Sequence, residues 1–460
     1  MSESSTSRLT SSLSEFSRSL RFEDIPAAGI MRVRNAIADC IGCMLAGTAT
    51  EPARIAAGWA RDEGGTPHAS VLGFGFATTP SLAAFVNGIS GHALDYDDVS
   101  PPMIGHPSVA LVPAILAAAE TVDATGRDII TAYAIGLDAA ARLGRLMNPD
   151  HYAHGWHATS TLGAIGAAVA AGRLLALDDA QMRNAIGMSA SGAGGLRKNF
   201  GSMTKAFHAG QAAQRGLVAA LLARRGFDAD AAILDGPHGF VDAFRGGRAE
   251  PADTAAITFD AGQPLEIVTS GVGLKQYACC GCTHIAIDVL LDLARQHRFT
   301  AADVERIDCG VNPIAPGVLI HSRAATGFQG KFSMQYSVGI AMLDGEAGPR
   351  QFEDERAQRP DAQAMQQRVT MYVDSDMPVN QGVFPTRVTV HLKDGRVLRG
   401  EAFKARGMHP DLPLDEGQIS AKFMACAAQA SRPVDGERAL AALLALQEVG
   451  SARDLMNLLR

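Results

Sequence analysis

At 460 residues the chain is longer than one ordinary hydrophobic core, so two domains are the natural expectation. Its 41 basic and 48 acidic residues leave a net charge of −7, which removes the basic footprint that nucleic-acid binding requires. With 47% hydrophobic but only 6% aromatic residues, small side chains must fill much of the core, and that suits closely packed helices.

Residues 1–20, MSESSTSRLTSSLSEFSRSL, are polar and lack the apolar segment of a secretory signal, so the chain is expected to open on a mobile segment. Helical spacing of Ile30, Val33, Ile37, Ile41 and Leu45 predicts a helix from Ile25 to Leu45. Cys40 and Cys43 lie on it, and without a second pair nearby they read as small buried hydrophobes. Further helices are predicted over Ser81–Ile89, Val109–Glu120 and Asp128–Leu146. Gly163–Leu177 is rich in alanine and glycine. Its apolar tract from Ala164 is broken by Arg173 and falls short of the roughly 18 residues of a membrane span. Another helix, Ala206–Arg225, ends at Gly226.

The pattern changes near residue 257. Ala256-Ile257-Thr258-Phe259 reads as a short strand, Thr283 as the cap of a helix reaching His297, and Val304–Val311 as an alternating strand. Thr386–Val397 reads as a hairpin with Asp394-Gly395 at a type I′ turn. Helices return at Ile419–Ala430 and Arg438–Leu459. The fold class is therefore mainly α with an α+β domain. A large helical domain is expected from residues 1–267 and 406–460, with a smaller α+β domain inserted over 268–405. The seven cysteines are an odd number in a long chain and form no disulfide framework, which points to a reduced, cytoplasmic, soluble protein.

Five polar clusters carry the candidate chemistry. In His92-Ala93-Leu94-Asp95-Tyr96-Asp97-Asp98, three acids precede a Pro- and Gly-broken loop, and His106 follows eight residues after Asp98. Asp95 and His106 are the candidate chemical groups, whereas Asp97 and Asp98 are expected to shape the loop. His151, His154 and His157 lack the glutamate of H-E-x-x-H, and Gly155 breaks their alignment, so one functional histidine among the three, with two at the surface, is expected rather than a metal site. In Lys198 to Lys205, followed by His208, Lys205 precedes a helix and is either part of an anion site with the backbone N–H groups or an exposed lysine at a helix start. Lys275-Gln276-Tyr277-Ala278-Cys279-Cys280-Gly281-Cys282 crowds cysteines without a partner pair at zinc spacing. Tyr336, in Lys331-Phe332-Ser333-Met334-Gln335-Tyr336, is either a core residue with a bonded hydroxyl or a proton donor. Neither G-x-S-x-G nor a phosphate-binding glycine loop is present.

In this order, HALDYDD…GHPS, GWHATSTLGAIGAA, NFGSMTKAFHAGQAA, LKQYACCGCTH and KFSMQYSVGIAML resemble the signatures of the MmgE/PrpD family, spread over residues 91–343. The resemblance implies a two-domain homodimer with its site in the interdomain cleft and neither metal nor organic cofactor. It also implies Asp95, His106, His157, Lys205, Lys275 and Tyr336 as catalytic positions, with Ser100, Ser108, Lys198, His208 and Tyr277 about the substrate. One departure stands out: the decarboxylase branch has a threonine where this chain has Val99. The activity implied is that of a cofactor-independent lyase, 2-methylcitrate-dehydratase-like, moving a proton next to a carboxylate on a small di- or tricarboxylate. The alternatives are an epimerase of the iminodisuccinate type and a non-catalytic carboxylate-binding protein.

Overall fold

Small residues set the spacing of the helices. The computed structural model describes residues 8–246, 257–260, 262–378 and 384–460. Within them the Thr204–Ala223 helix lies against the Ala158–Leu174 and Pro80–Ala93 helices. A Cβ on Gly88 would come within 2.8 Å of Gly210 Cα, and one on Gly216 within 2.5 Å of the Ala167 methyl. Glycine disfavours an isolated helix by about 1 kcal/mol, and the close backbone approach offsets this with dispersion contacts.

Around these helices pack Ala27–Gly47, Ser108–Val122, Gly126–Met147 and Asp179–Ser191. Their buried apolar residues, from Leu9 through Ile267, form one continuous cluster with Phe423–Leu459 near the C-terminus. A second cluster runs from Tyr277 to Ala405 and takes in Phe200. It is built on a sheet of order β4-β3-β5-β6, where the strands are Val304–Val311 (β3), Val369–Val373 (β4), Thr386–Leu392 (β5) and Val397–Ala402 (β6). β3 pairs parallel with β4 and antiparallel with β5, and β5 pairs antiparallel with β6. A short hairpin, Ala69–Val71 (β1) with Phe76–Thr78 (β2), sits on the helical part. Along β5 burial alternates strictly, with Val388, Val390 and Leu392 turned inward beneath the Gly281–His297 helix.

Several local expectations are corrected. Arg8–Ser19 is helical, not mobile: Leu9, Leu13 and Phe16 are buried, and the serines that disguised it bond inward, Ser14 to Asp179 and Ser17 to the Ser14 carbonyl. Residues 257–259 form no strand. Phe259 instead plugs the helical core, and the Thr258 carbonyl accepts from Arg142. Ala256 lies outside the described residues. The helix expected from Thr283 begins at Gly281 with Cys280 as its cap, and Thr283 donates back to the Cys280 carbonyl. Between β5 and β6 only Gly395 has positive φ, 89°, while Leu392 N–H bonds the Arg396 carbonyl. That is a three-residue loop ending in a left-handed glycine, not a type I′ turn. The last expected helix is split into Gly436–Leu444, the short turn Leu446–Glu448, and Ala452–Leu459. Among the described residues no helix is long and apolar enough to cross a membrane.

Candidate active site

Four helix starts converge on one small cavity. His106 stands two residues before the Ser108–Val122 helix, His157 caps Ala158–Leu174, Lys205 sits in the first turn of Thr204–Ala223, and Cys280 caps Gly281–His297. All four line the cavity, together with Asp95, Lys275 and the ring of Phe332. Unsatisfied N–H groups at helix starts favour a negative charge, so the frame suits an anion before any side chain is considered.

Asp95 follows the Pro80–Ala93 helix in the left-handed region, at φ 52°. Its Oδ1 receives Lys205 Nζ at 2.5 Å and stands 3.2 Å from Lys275 Nζ. Lys275 also donates to the Asp95 carbonyl at 2.9 Å. Burial alone would raise the Asp95 pKa, but the ammoniums of Lys205 and Lys275 overcome it and hold the carboxyl far below the usual range. Asp95 is thus a permanent anion that anchors two cations, and its buried Oδ2 is left without a partner. Lys275 is pulled the other way: burial lowers its pKa, and Asp95 and then Asp97 more than restore it.

His106 Nε2 lies 3.6 Å from Asp95 Oδ1, and its Nδ1 lies 3.1 Å from Asp97 Oδ2, without the alignment of a full hydrogen bond. Asp97 also holds His92 Nδ1 at 2.9 Å. So Asp97 braces two imidazoles rather than merely shaping the loop. His157 Nδ1 meets His208 Nδ1 at 3.1 Å, which leaves Nε2 for the cavity. Burial is the main cause that lowers the pKa of both His106 and His157. For His106 Asp97 opposes it, while Lys275 and Lys205 reinforce it. For His157 Lys205 and the neighbouring histidines reinforce it. At neutral pH both rings are uncharged and able to accept a proton.

The remaining expected residues separate. Ser100 is buried beside a second cavity that adjoins this one. Ser108 is bonded to Asp98 and, at 2.6 Å, to the Tyr133 hydroxyl, away from the cavity wall. His208 stands behind His157, and Lys198 is exposed. Tyr277 donates to Asp288 at 2.8 Å and faces a different cleft. Tyr336 donates to the Gln351 carbonyl at 2.6 Å within the second apolar cluster and is not brought to the cavity. His151, expected at the surface, is buried between Thr161 and the Phe244 carbonyl, since a ring with two bonded nitrogens can be buried at little cost.

Sequence reasoning passed over His92 and Lys331 and gave Asp97 only a loop-shaping part. Burial pushes the Lys331 ammonium down to about 8, and it donates to the Ala93 carbonyl at 2.9 Å, closing the end of the Pro80–Ala93 helix just before Asp95. All three lie inside quoted motifs, but a one-dimensional pattern does not show which member faces which. His92, Asp95, Asp97 and His106 bring one donor atom each within 4.8 Å of one another, a spacing that could hold a metal ion. Two ammoniums already face Asp95, so a divalent ion there would be repelled by both.

Two matches place the chain among known proteins. Residues 11–252 match the MmgE/PrpD N-terminal domain, and residues 277–448 match the C-terminal domain. The chain belongs to the MmgE/PrpD family. A cis-aconitate decarboxylase-like protein of Aspergillus oryzae is 26% identical over 450 residues, 94% of this chain and 92% of that protein. The cis-aconitate decarboxylase of Aspergillus terreus is 25% identical over 88% of this chain and 87% of its own. That of Mus musculus is 27% identical over 92% and 87%. The family's C-terminal match spans the second apolar cluster and runs on into helices whose apolar residues, Phe423 among them, join the first.

Proposed function

We propose that this protein is a lyase that moves a proton at a carbon next to a carboxylate of a small di- or tricarboxylate. One observation carries the reading: two uncharged histidines and two lysine ammoniums face a single cavity over a carboxylate that stays ionised. A C–H beside a carboxylate is weakly acidic, so it needs a nearby base and cations for the enediolate charge. His106 is the base. Its Nε2 takes the proton, and Asp97 behind Nδ1 stabilises the imidazolium that forms. The C–H electron pair moves into the carboxylate, where Lys205 and Lys275 meet the charge. When the leaving group is hydroxide, collapse of the enediolate expels it, and His157, which takes a proton from solvent once the incoming substrate charge has raised its pKa, protonates it to water. Asp95 is too weak a base to receive a proton and positions the two ammoniums instead.

Elimination of water is the reaction the sequence placed first, and loss of CO₂ is that of the named relatives. Val99 replaces the hydroxyl expected of a decarboxylase. A second reading, epimerisation, is favoured by the presence of two neutral imidazoles, one to remove and one to return a proton. A panel of polycarboxylates in deuterated water, read by mass spectrometry, separates them. Loss of water or CO₂ supports the lyase, whereas deuterium entry with inversion and no other mass change would sink it. Tight binding of polycarboxylates without turnover of any would leave a binding protein. We further propose a homodimer, a state supported by the exposed apolar groove of Ile55, Trp59 and Phe207 and checked by sedimentation equilibrium.

A further inference from the structure

Protonation of the leaving group raises a problem of access. His157 is only 1% exposed, and its Nε2 is turned to the cavity that a substrate fills, so water on that side is displaced when the acid is needed. The other side of the ring differs. His157 Nδ1 meets His208 Nδ1 at 3.1 Å, and His208 is not part of the cavity wall. Its Nε2 bonds to nothing among the described residues and is not fully enclosed. Against the His208 ring lies Gly195, in a loop over residues 191–196 of which none is buried.

The two imidazoles are held as a pair. Gly195 accepts the His157 N–H at 2.9 Å, and Ser160 Oγ donates to the His208 carbonyl at 3.1 Å. Gly195 has φ 128°, and a Cβ there would come within 2.9 Å of Ser160 Cβ and 3.3 Å of His208 Cγ, so only glycine lets the loop approach so closely. Burial, then Lys205 and Arg215, lowers the His208 pKa to about 4, and His157 is lowered as well. Both rings are therefore neutral at pH 7, with one proton each. A contact between two Nδ1 atoms holds only when one carries its proton and the other does not. The tautomers are thus linked. An Nε2–H on His157, the form that can donate to the cavity, requires Nδ1–H on His208 and leaves His208 Nε2 free to accept from water.

We propose that His208 is a proton relay that supplies His157 from solvent while substrate occupies the cavity. This rests on the lyase reading above. His208 Nε2 takes a proton from water, the His208 Nδ1 proton passes to His157 Nδ1, and the His157 Nε2 proton passes to the expelled hydroxide. Each bond to hydrogen that breaks is matched by one that forms, and the hydroxide left in bulk water is neutralised by the proton that His106 releases. Once product leaves, water entering the cavity reprotonates His157 Nε2 and the chain runs back.

The test uses the intact protein and whichever polycarboxylate the panel above shows to be turned over. His208→Gln keeps a side chain that can donate to His157 Nδ1 but conducts no proton, so kcat should fall about 10²-fold while KM stays near wild type. His208→Ala should lose kcat similarly, and added imidazole, which fits the vacated space, should restore part of it. A His208→Gln protein with wild-type kcat, or a His208→Ala protein that imidazole leaves unrestored, would overturn the relay and leave the lyase reading intact. Wild-type protein that turned over no compound of the panel would sink the lyase reading, and the relay with it.

Discussion

Two buried lysine–aspartate clusters lie close together in this protein, and they behave oppositely. In the first, Asp95 faces two ammoniums, and its pKa is driven far down. In the second, Asp39 on the Ala27–Gly47 helix pairs with Lys422 of the Glu416–Ala427 helix, at 2.7 Å. There burial outweighs the single cation, and the Asp39 pKa moves up. Two ammoniums overcome burial at Asp95, whereas at Asp39 one ammonium, opposed by the nearby Asp97, does not. Lys422 spends its other hydrogen bonds on the Tyr96 and Lys275 carbonyls, each at 2.8 Å. The second cluster thus clamps the backbone on both sides of the first. One cluster opens on a cavity and carries the proposed chemistry, while the other is closed and holds it in place.

This contrast breaks most visibly at the base. His106→Ala should lower turnover by about 10²–10⁴-fold with little change in a urea unfolding midpoint; wild-type turnover would remove His106 from the mechanism. Asp39→Ala should do the reverse. It strands Lys422, costing about 3–5 kcal/mol of stability in chemical denaturation, and activity per folded molecule should fall only as the clamp loosens. Equal stability of Asp39→Ala and wild type would deny the closed cluster its structural role.

Acid separates the two clusters further. The His92 pKa is lowered by burial to about 3 and that of His151 to about 4, from 6.5. Both are depressed in the fold, so the unfolded chain binds more protons below pH 6.5, and stability must fall as pH drops through that point. Between pH 7 and 5 each should contribute a loss of about 2 kcal/mol, measurable in urea titrations at the two pH values. His106 works uncharged as the proposed base, so the acid limb of kcat/KM should lie below 6.5, its ordinary value. A limb above pH 7 would assign the base elsewhere. The smallest effect belongs to Tyr336→Phe: about 1 kcal/mol for its lost bond to Gln351, with kcat unchanged. A large fall in kcat would return Tyr336 to the chemistry.

Much of this was legible in one dimension. Helices of the larger domain follow from apolar residues at helical spacing, and β3 spans the same residues, Val304–Val311, in sequence and structure. Arg8–Ser19 was hidden because serines bond inward there and carry no apolar signal. The strand expected at 256–259 failed because a β-branched apolar run looks the same whether it joins a ladder or plugs a core. Asp95, His106, His157, Lys205 and Lys275 are named by their motifs and do line one cavity.

By itself, then, the sequence determined the helical class, the family and the residue types of a carboxylate site, since periodicity and motif are local properties of a chain. Only the tertiary structure decided what those residues do. Asp97 braces His106 across nine positions, and Lys205 reaches Asp95 across 110. Tyr336, inside a signature, points to Gln351 instead of the cavity. Charge state is likewise a tertiary property. Burial and the neighbouring charges make Asp95 a fixed anion, Asp39 a weaker acid and His106 a neutral imidazole, and no spacing along the chain encodes those distances.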